Sequence, residues 1–248
     1  KCPGHEVDPS VIAKIINSRN GLVYLRDKSY GNFDGTSFQE TILTYNGNYE
    51  INPIYLAAHT LESQNFNEYE IEIILTNKLG EYLYPYYAFN AHEYSENDYD
   101  IKLEVGGSYS LKYVDYFYNP YDNYTTSTYK TFESKYREFV YNNYLELTEE
   151  VRNGIILYLI ANQLSFSQPM SEINNYLCEN YVIKDMSDAT FDKNNVTNLV
   201  QNLNEGDTRM LALITTILYR AHGIPARFVE GYACYTIEGE VVEITKEN

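Results

Sequence analysis

The sequence has no tryptophan, three cysteines, three methionines and seven prolines, and it is short of cations, with 18 Lys and Arg against 35 Asp and Glu. Each shortage excludes something. Cys2, Cys178 and Cys234 lie far apart, and no Cys-x-x-Cys pair or Cys/His ligand spacing joins them, so neither a zinc site nor a disulfide framework is expected. His5, His59, His92 and His222 form no His-Glu-x-x-His helix, and nothing else in the chain calls for a metal or a cofactor. The net charge of −17 argues against nucleic acid and against attraction to anionic lipid, because like charges repel. It leaves room for peptides and basic polymers. No apolar run approaches the roughly 20 residues that span a bilayer; the longest, "GIILYLIA", is too short and sits in a helical context. No signal-peptide pattern is present, and the chain reads as an excised soluble segment.

What is there is tyrosine, 28 residues of it. A large ring with a polar tip suits half-buried strands, and strand packing is the simplest reading of the excess. With 248 residues, 44% hydrophobic and 21% charged, the chain is an ordinary folded protein with room for two domains.

The first part of the chain reads as mostly β. "VDPSVIAKIINSRNG" is the exception and predicts a short helix, with Asp8 as N-cap, Pro9 in the first turn and Gly21 after the end. "LVYLRD" and "NEYEIEIILTN" predict strands. "EYLYPYYAF" is an edge or irregular strand because of Pro85, and "YDIKLEVGGSYSLKYVDYFY" is a hairpin around Gly106 and Gly107. "NPIYLAAHTLES" fits helix or loop. After residue 128 the spacing turns helical. "FESKYREFVYNNYLEL", "TEEVRNGIILYLIANQLS" with Thr148 as N-cap, "MSEINNYLCENY" and a short helix near "NVTNLVQNLN" precede the main one. That helix starts at about Asp207, and Met210, Leu211, Leu213, Ile214, Ile217, Leu218 and Ala221 recur at three and four. Gly223 and Pro225 end it, and "ARFVEGYACYTI" and "EVVEIT" predict two strands paired across Glu238 and Gly239. The expected class is α+β. A β-sandwich-like domain occupies residues 1–128, and a helical-plus-sheet core occupies 129–248.

The order of loop, helix, "GIPAR" and strand in "EGDTRMLALITTILYRAHGIPARFVEGYA" resembles the centre of the transglutaminase-like family, which shares the papain fold. The most specific part is "LYRAHGIPARFVEGY", residues 218–232. The first half resembles the β-domain that precedes this core in bacterial membrane-anchored members. There a Tyr-Leu-Arg strand is followed by Tyr-Asp-Gly and a Trp; here Phe33-Asp34-Gly35 and Phe38 take those places.

The resemblance implies a nucleophilic cysteine at the start of the core helix, a histidine base on a following strand and an aspartate that orients it. The cysteine position falls on Thr208. A helix N-terminus stabilises a thiolate, but its dipole, worth about 1 kcal/mol, cannot make a threonine hydroxyl a comparable nucleophile. His222 lies 14 residues along the same helix, about 21 Å away at 1.5 Å per residue, and cannot serve as the base. The chain stops after "EVVEITKEN", where the family's histidine is expected, so the core reads as truncated before the His and Asp strands. That would leave a sheet edge able to pair with another copy.

Asp207 and Arg209 flank the altered position and complete the candidate binding site, with Asp207 also the simplest N-cap. His222 reads as a cation at the helix C-terminus or a packing residue. Arg227 reads as a structural partner of a carboxylate, and Cys178 and Cys234 as buried structural thiols. Asp185, Asp188 and Asp192 would supply oxygens to a calcium ion, but their spacing does not match an EF-hand and no metal site is expected there. The glycosylation patterns at Asn123 and Asn195 are at chance level.

The expected function is that of a catalytically silent transglutaminase-like protein. It would be the extracytoplasmic, cell-surface part of a bacterial protein anchored by membrane segments outside this chain, binding a peptide, a protein or a cell-envelope component. The alternative is an active transglutaminase or cysteine-peptidase type of acyl-transfer enzyme whose catalytic residues are replaced or missing here.

Overall fold

The computed structural model describes residues 11–40, 44–45, 49–50, 67–76, 83–85, 88–89, 107–114, 137–184, 196–200 and 203–245. Two compact units share the chain: Lys1–Lys28, Ile42–Glu133 and Glu230–Asn248 form the first, and Ser29–Thr41 and Ser134–Val229 the second. The division falls within two strands, β2 (Gly21–Phe33) and β12 (Phe228–Thr236).

The first unit is built on β1 (Val11–Asn17), a strand and not the short helix expected there. Asp8 and Pro9, the presumed helix start, lie outside the described residues. The segment is rich in β-branched side chains, which lose rotamer freedom in a helix and pack well on a pleated surface. Its position settles the matter. Ile12, Ala13 and Ile15 are fully buried, and β1 lies between β6 (Glu68–Leu75) and β13 (Val241–Thr245), antiparallel to both. Lys14 and Glu243 face each other across the β1–β13 ladder with 3.0 Å between charged atoms. β6 pairs onward with β9 (Ser108–Val114), and β9 with β8 (Ala88–Phe89).

The same sheet overturns the expected pairing of the last two strands. β13 pairs with β1, whereas β12 pairs with β2, beside β3 (Phe38–Glu40) and β7 (Tyr84–Pro85); the short β4 (Thr44–Tyr45) and β5 (Tyr49–Glu50) pair with each other. The turn at Ile237–Glu240 is a corner between sheets and not a hairpin. Polar groups hold it: Gly239 N donates to the Asn17 carbonyl, the Asn17 amide donates to Thr236 Oγ at 3.0 Å, and that hydroxyl donates to the Arg19 carbonyl. The Tyr113 hydroxyl supplies the Asn17 side-chain oxygen with a donor. Thr236 and Asn17 are buried, so these bonds remove polar orphans as well as fixing the corner. The core of this unit places Ile15, Ile71, Ile73 and Leu111 against Val23, Leu25, Leu83 and Cys234, in the manner of a sandwich. Gly231 is required in β12: a Cβ there would sit 1.9 Å from the Leu25 carbonyl oxygen. Pro85 occupies the two-residue β7, which fits its irregular-strand expectation. The first half of the expected Gly106–Gly107 hairpin lies outside the described residues, as do "NPIYLAAHTLES" and Asn123.

The second unit is helical. Residues 137–143 are helical, followed by α1 (Glu149–Ala161), α2 (Pro169–Asn180), the single-turn α3 (Val196–Leu199) and α4 (Thr208–Ala221). Thr148 caps α1, its side chain accepting from Val151 N, with Glu149 and Glu150 in the first turn. The apolar stripe of α4 is the core. Met210, Leu213, Ile214, Ile217 and Leu218 are buried against Val151 and Ile155 of α1, Ile173 and Leu177 of α2, and Val196 and Leu199 of α3. Each such side chain, fully buried, contributes roughly 1.5–3 kcal/mol. Phe33, Phe38 and Phe228 complete the cluster. A two-stranded parallel pair, β10 (Val182–Ile183) and β11 (Glu205–Gly206), lies immediately ahead of α4.

Candidate functional site

Thr208 is the first residue of α4 and is exposed. Asp207 caps the helix, as expected: its backbone is extended and its Oδ1 accepts from Met210 N at 2.9 Å. Arg209, the third candidate, turns to the aromatic pair of Tyr30 and Phe228. Those rings are stacked, 4.5 Å apart with 6° between their planes. The Arg209 guanidinium carbon lies 5.8 Å from the Tyr30 centroid and 6.0 Å from that of Phe228. The three candidates therefore share one helix end, with a cation, an anion and a hydroxyl in a single turn. What this arrangement can do is attract a carbonyl or carboxylate to backbone N–H groups at the positive end of the helix dipole.

The approach to that end is built from polar side chains. Asn204 Oδ1 accepts from the Tyr158 hydroxyl, which lies 2.5 Å from the Tyr176 hydroxyl. Burial is the main cause holding the Tyr158 phenol protonated, and the neighbouring Tyr176 adds to it. Lys184 and Glu205 form an ion pair across the β10–β11 step. The Tyr181 hydroxyl donates to the Asp207 carbonyl at 3.3 Å. Burial, with the charges of Asp207 and Glu205 behind it, pushes the Tyr181 phenol up to about 12. Gly206, at φ +154°, has no room for a side chain, since a Cβ would lie 2.5 Å from the Tyr181 oxygen and 2.7 Å from the Met210 sulfur.

At the far end of α4, His222 is the C-cap. Its Nδ1–H donates to the Leu218 carbonyl at 2.7 Å, and its ring meets Phe166 edge-on. It is the one histidine among the described residues, and it serves the helix C-terminus as expected. Arg227 does not tie its strand to a carboxylate among the described residues; its guanidinium lies 5.6 Å from the Tyr144 ring centroid. Cys234 is buried, which pushes its thiol up to about 11, but Cys178 is exposed on α2, against expectation. The apolar face of α2 is spanned by Ile173 and Leu177, so position 178 points away from the core. Cys2, Asp185, Asp188, Asp192 and Asn195 lie outside the described residues. Among the described residues no cluster of His, Cys, Asp and Glu could hold a metal ion.

Sequence reasoning missed Arg220. It is fully buried on α4, with the Glu146 charge acting on it, and its guanidinium donates to three backbone carbonyls: Ala226 at 2.7 Å, Glu146 at 3.1 Å and Gly31 at 2.6 Å. Its carbon lies 4.5 Å from the Phe38 ring centroid. Burial pulls its pKa down to about 10, so it keeps its charge at neutral pH. The clue in the sequence was its spacing, three residues after Ile217 on the apolar stripe of α4.

Residues 158–245 match the family model of the transglutaminase-like superfamily. That stretch is similar to a transglutaminase-like domain. The match takes in α2, α3, α4, β12 and β13, and the candidate helix end lies inside it. Among solved structures, the fold is similar to the periplasmic domain of TgpA from Pseudomonas aeruginosa, crystallised bound to ethylmercury. The TM-score is 0.56 at 12% identity, over 96% of this chain and 90% of that one. No curated protein sequence matches.

Proposed function

We propose that this transglutaminase-like domain is silent in acyl transfer and binds a carbonyl- or carboxylate-bearing peptide or cell-envelope component at the N-terminus of α4. The observation that carries the reading is Thr208, exposed at the first position of the helix whose N-terminus holds the family's nucleophile by resemblance. Acyl transfer needs an activated nucleophile, a base in contact with it and donors for the oxyanion. The helix end offers the donors. The threonine hydroxyl is hardly ionised at neutral pH, and His222 is turned to the opposite end of the helix. Losing members of such a unit costs a factor on the order of 10⁴ to 10⁶ in rate.

The domain belongs outside the cytoplasm of a bacterium, as part of a protein anchored by membrane segments beyond these residues. A periplasmic domain of similar fold supports this location. No helix among the described residues is long and apolar enough to cross a membrane.

The test incubates the purified chain with glutamine-containing and lysine-containing peptides and follows ammonia release and cross-linking by mass spectrometry. No turnover is expected. Turnover abolished by Thr208→Ala would make this a threonine-dependent enzyme, and turnover that survives the substitution would place the chemistry elsewhere.

A further inference from the structure

The four residues that lead into α4 are each fixed by a side chain from elsewhere in the second unit. Asn204 receives the Tyr158 hydroxyl from α1, and Tyr176 of α2 closes the triad at 3.4 Å from the same Asn204 oxygen. Glu205 is paired with Lys184. Gly206 lies against the Tyr181 hydroxyl, which also donates to the Asp207 carbonyl. Packing alone does not require this convergence, since phenylalanine rings would fill nearly the same volume. The hydroxyls of three tyrosines, from α1, from α2 and from the residue that follows α2, meet one four-residue segment. Tyr219, by contrast, lies on α4 itself and sends its hydroxyl to the Met170 carbonyl and to Asn174.

We propose that Tyr158, Tyr176 and Tyr181 are positioning residues of the α4 N-terminus, holding the Asn204–Asp207 segment by the Asn204 side chain at one end and the Asp207 carbonyl at the other, so that this helix end is presented to a ligand in a single orientation. The inference rests on the reading of that helix end as the binding end. The Tyr181 hydroxyl acts on the Asp207 backbone carbonyl, and the Tyr158 and Tyr176 hydroxyls act on the Asn204 side chain; none acts on the ligand. A hydrogen bond to a backbone group that leads straight into a helix fixes the entry angle of the chain. The field at the first helical residue falls off within the first turn, so it depends on how well that turn is held.

A thiol placed at position 208 reads that field without any knowledge of the ligand. The parent for the test carries Thr208→Cys with Cys2→Ser and Cys178→Ser; Cys234 is buried with its thiol raised to about 11 and stays unreactive. Alkylation by iodoacetamide is followed against pH. The introduced thiol is expected to titrate below the ordinary value of about 8.5. Combining Tyr158→Phe, Tyr176→Phe and Tyr181→Phe is expected to raise it by about half a pH unit, the scale of a helix-end contribution. Tyr219→Phe, which also removes one hydroxyl from this unit, is expected to leave it unchanged. Glu205, Asp207 and Arg209 flank the thiol in every variant alike, so their charges cancel in the comparison. Should the triple variant fail to fold, Tyr158→Phe and Tyr181→Phe singly carry the same expectation at smaller size. An introduced thiol with an ordinary value in the parent would overturn the proposal. So would a thiol unmoved by the tyrosine substitutions while the melting temperature falls, or one moved equally by Tyr219→Phe. Turnover is not measured here, so failure of this proposal is distinct from failure of the silent reading.

Discussion

Asp207, Thr208 and Arg220 all lie at or on α4, and their substitutions should have very different costs. Asp207 accepts from Met210 N, so Asp207→Ala removes a cap and is expected to destabilise by about 1 kcal/mol. Thr208 is exposed and caps nothing, so Thr208→Ala should stay within about 0.5 kcal/mol of the parent. Urea unfolding of the two variants side by side checks the ordering. Arg220 is the expensive position. Arg220→Met leaves the carbonyls of Gly31, Glu146 and Ala226 without their donors inside the core, and a loss of about 3 kcal/mol or more is expected. Arg220→Lys should recover little of it, because an ammonium cannot spread three donors in the plane of a guanidinium. A lysine variant as stable as the parent would show that charge alone matters there.

At the scale of elements, Gly231→Ala is the sharpest test. Its Cβ would meet the Leu25 backbone at less than any contact distance, so β2 and β12 must part locally, and a cost of about 1–3 kcal/mol is expected in thermal or urea unfolding. The helices were legible in the sequence because their signals are local: Thr148 and Asp207 as caps, and the stripe from Met210 to Leu218. The strand β1 was not. Asp8 and Pro9 imitate a helix start, whereas what makes the segment a strand is a pair of partners nearly 60 and 230 residues away, Ile73 and Val242 opposite Ile15. The last two strands failed for a related reason. A turn signal at Glu238 and Gly239 does not say whether its two strands pair with each other or leave for different sheets. At the candidate helix end, Asp207, Thr208 and Arg209 were readable from the motif. The tyrosine triad was not, since Tyr158, Tyr176 and Asn204 come together only through packing.

For the whole molecule, acidity sets the response to pH. Asp34 accepts from the backbone N–H groups of Ser37 and Thr36, which hold its carboxyl below the ordinary value of 3.8. A group depressed in the folded state contributes stability above its unfolded pKa and loses it as pH falls through the folded one. The stability difference between the native chain and Asp34→Asn should therefore be present at pH 7 and shrink as pH falls through the carboxylate range. A difference that persists unchanged at pH 3 would mean that Asp34 acts through shape and not through charge. The interleaving of the two units has a consequence of another kind. The second unit takes Phe33 and Phe38 into its core and the Gly31 carbonyl onto Arg220, all from a stretch that precedes most of the first unit. The first unit in turn needs Ile244 and Cys234 from beyond the helices. Neither could be inherited, duplicated or expressed as one uninterrupted piece of gene. A fragment of residues 129–248 should come out of a cell insoluble, and adding a peptide of residues 21–41 should rescue it in part.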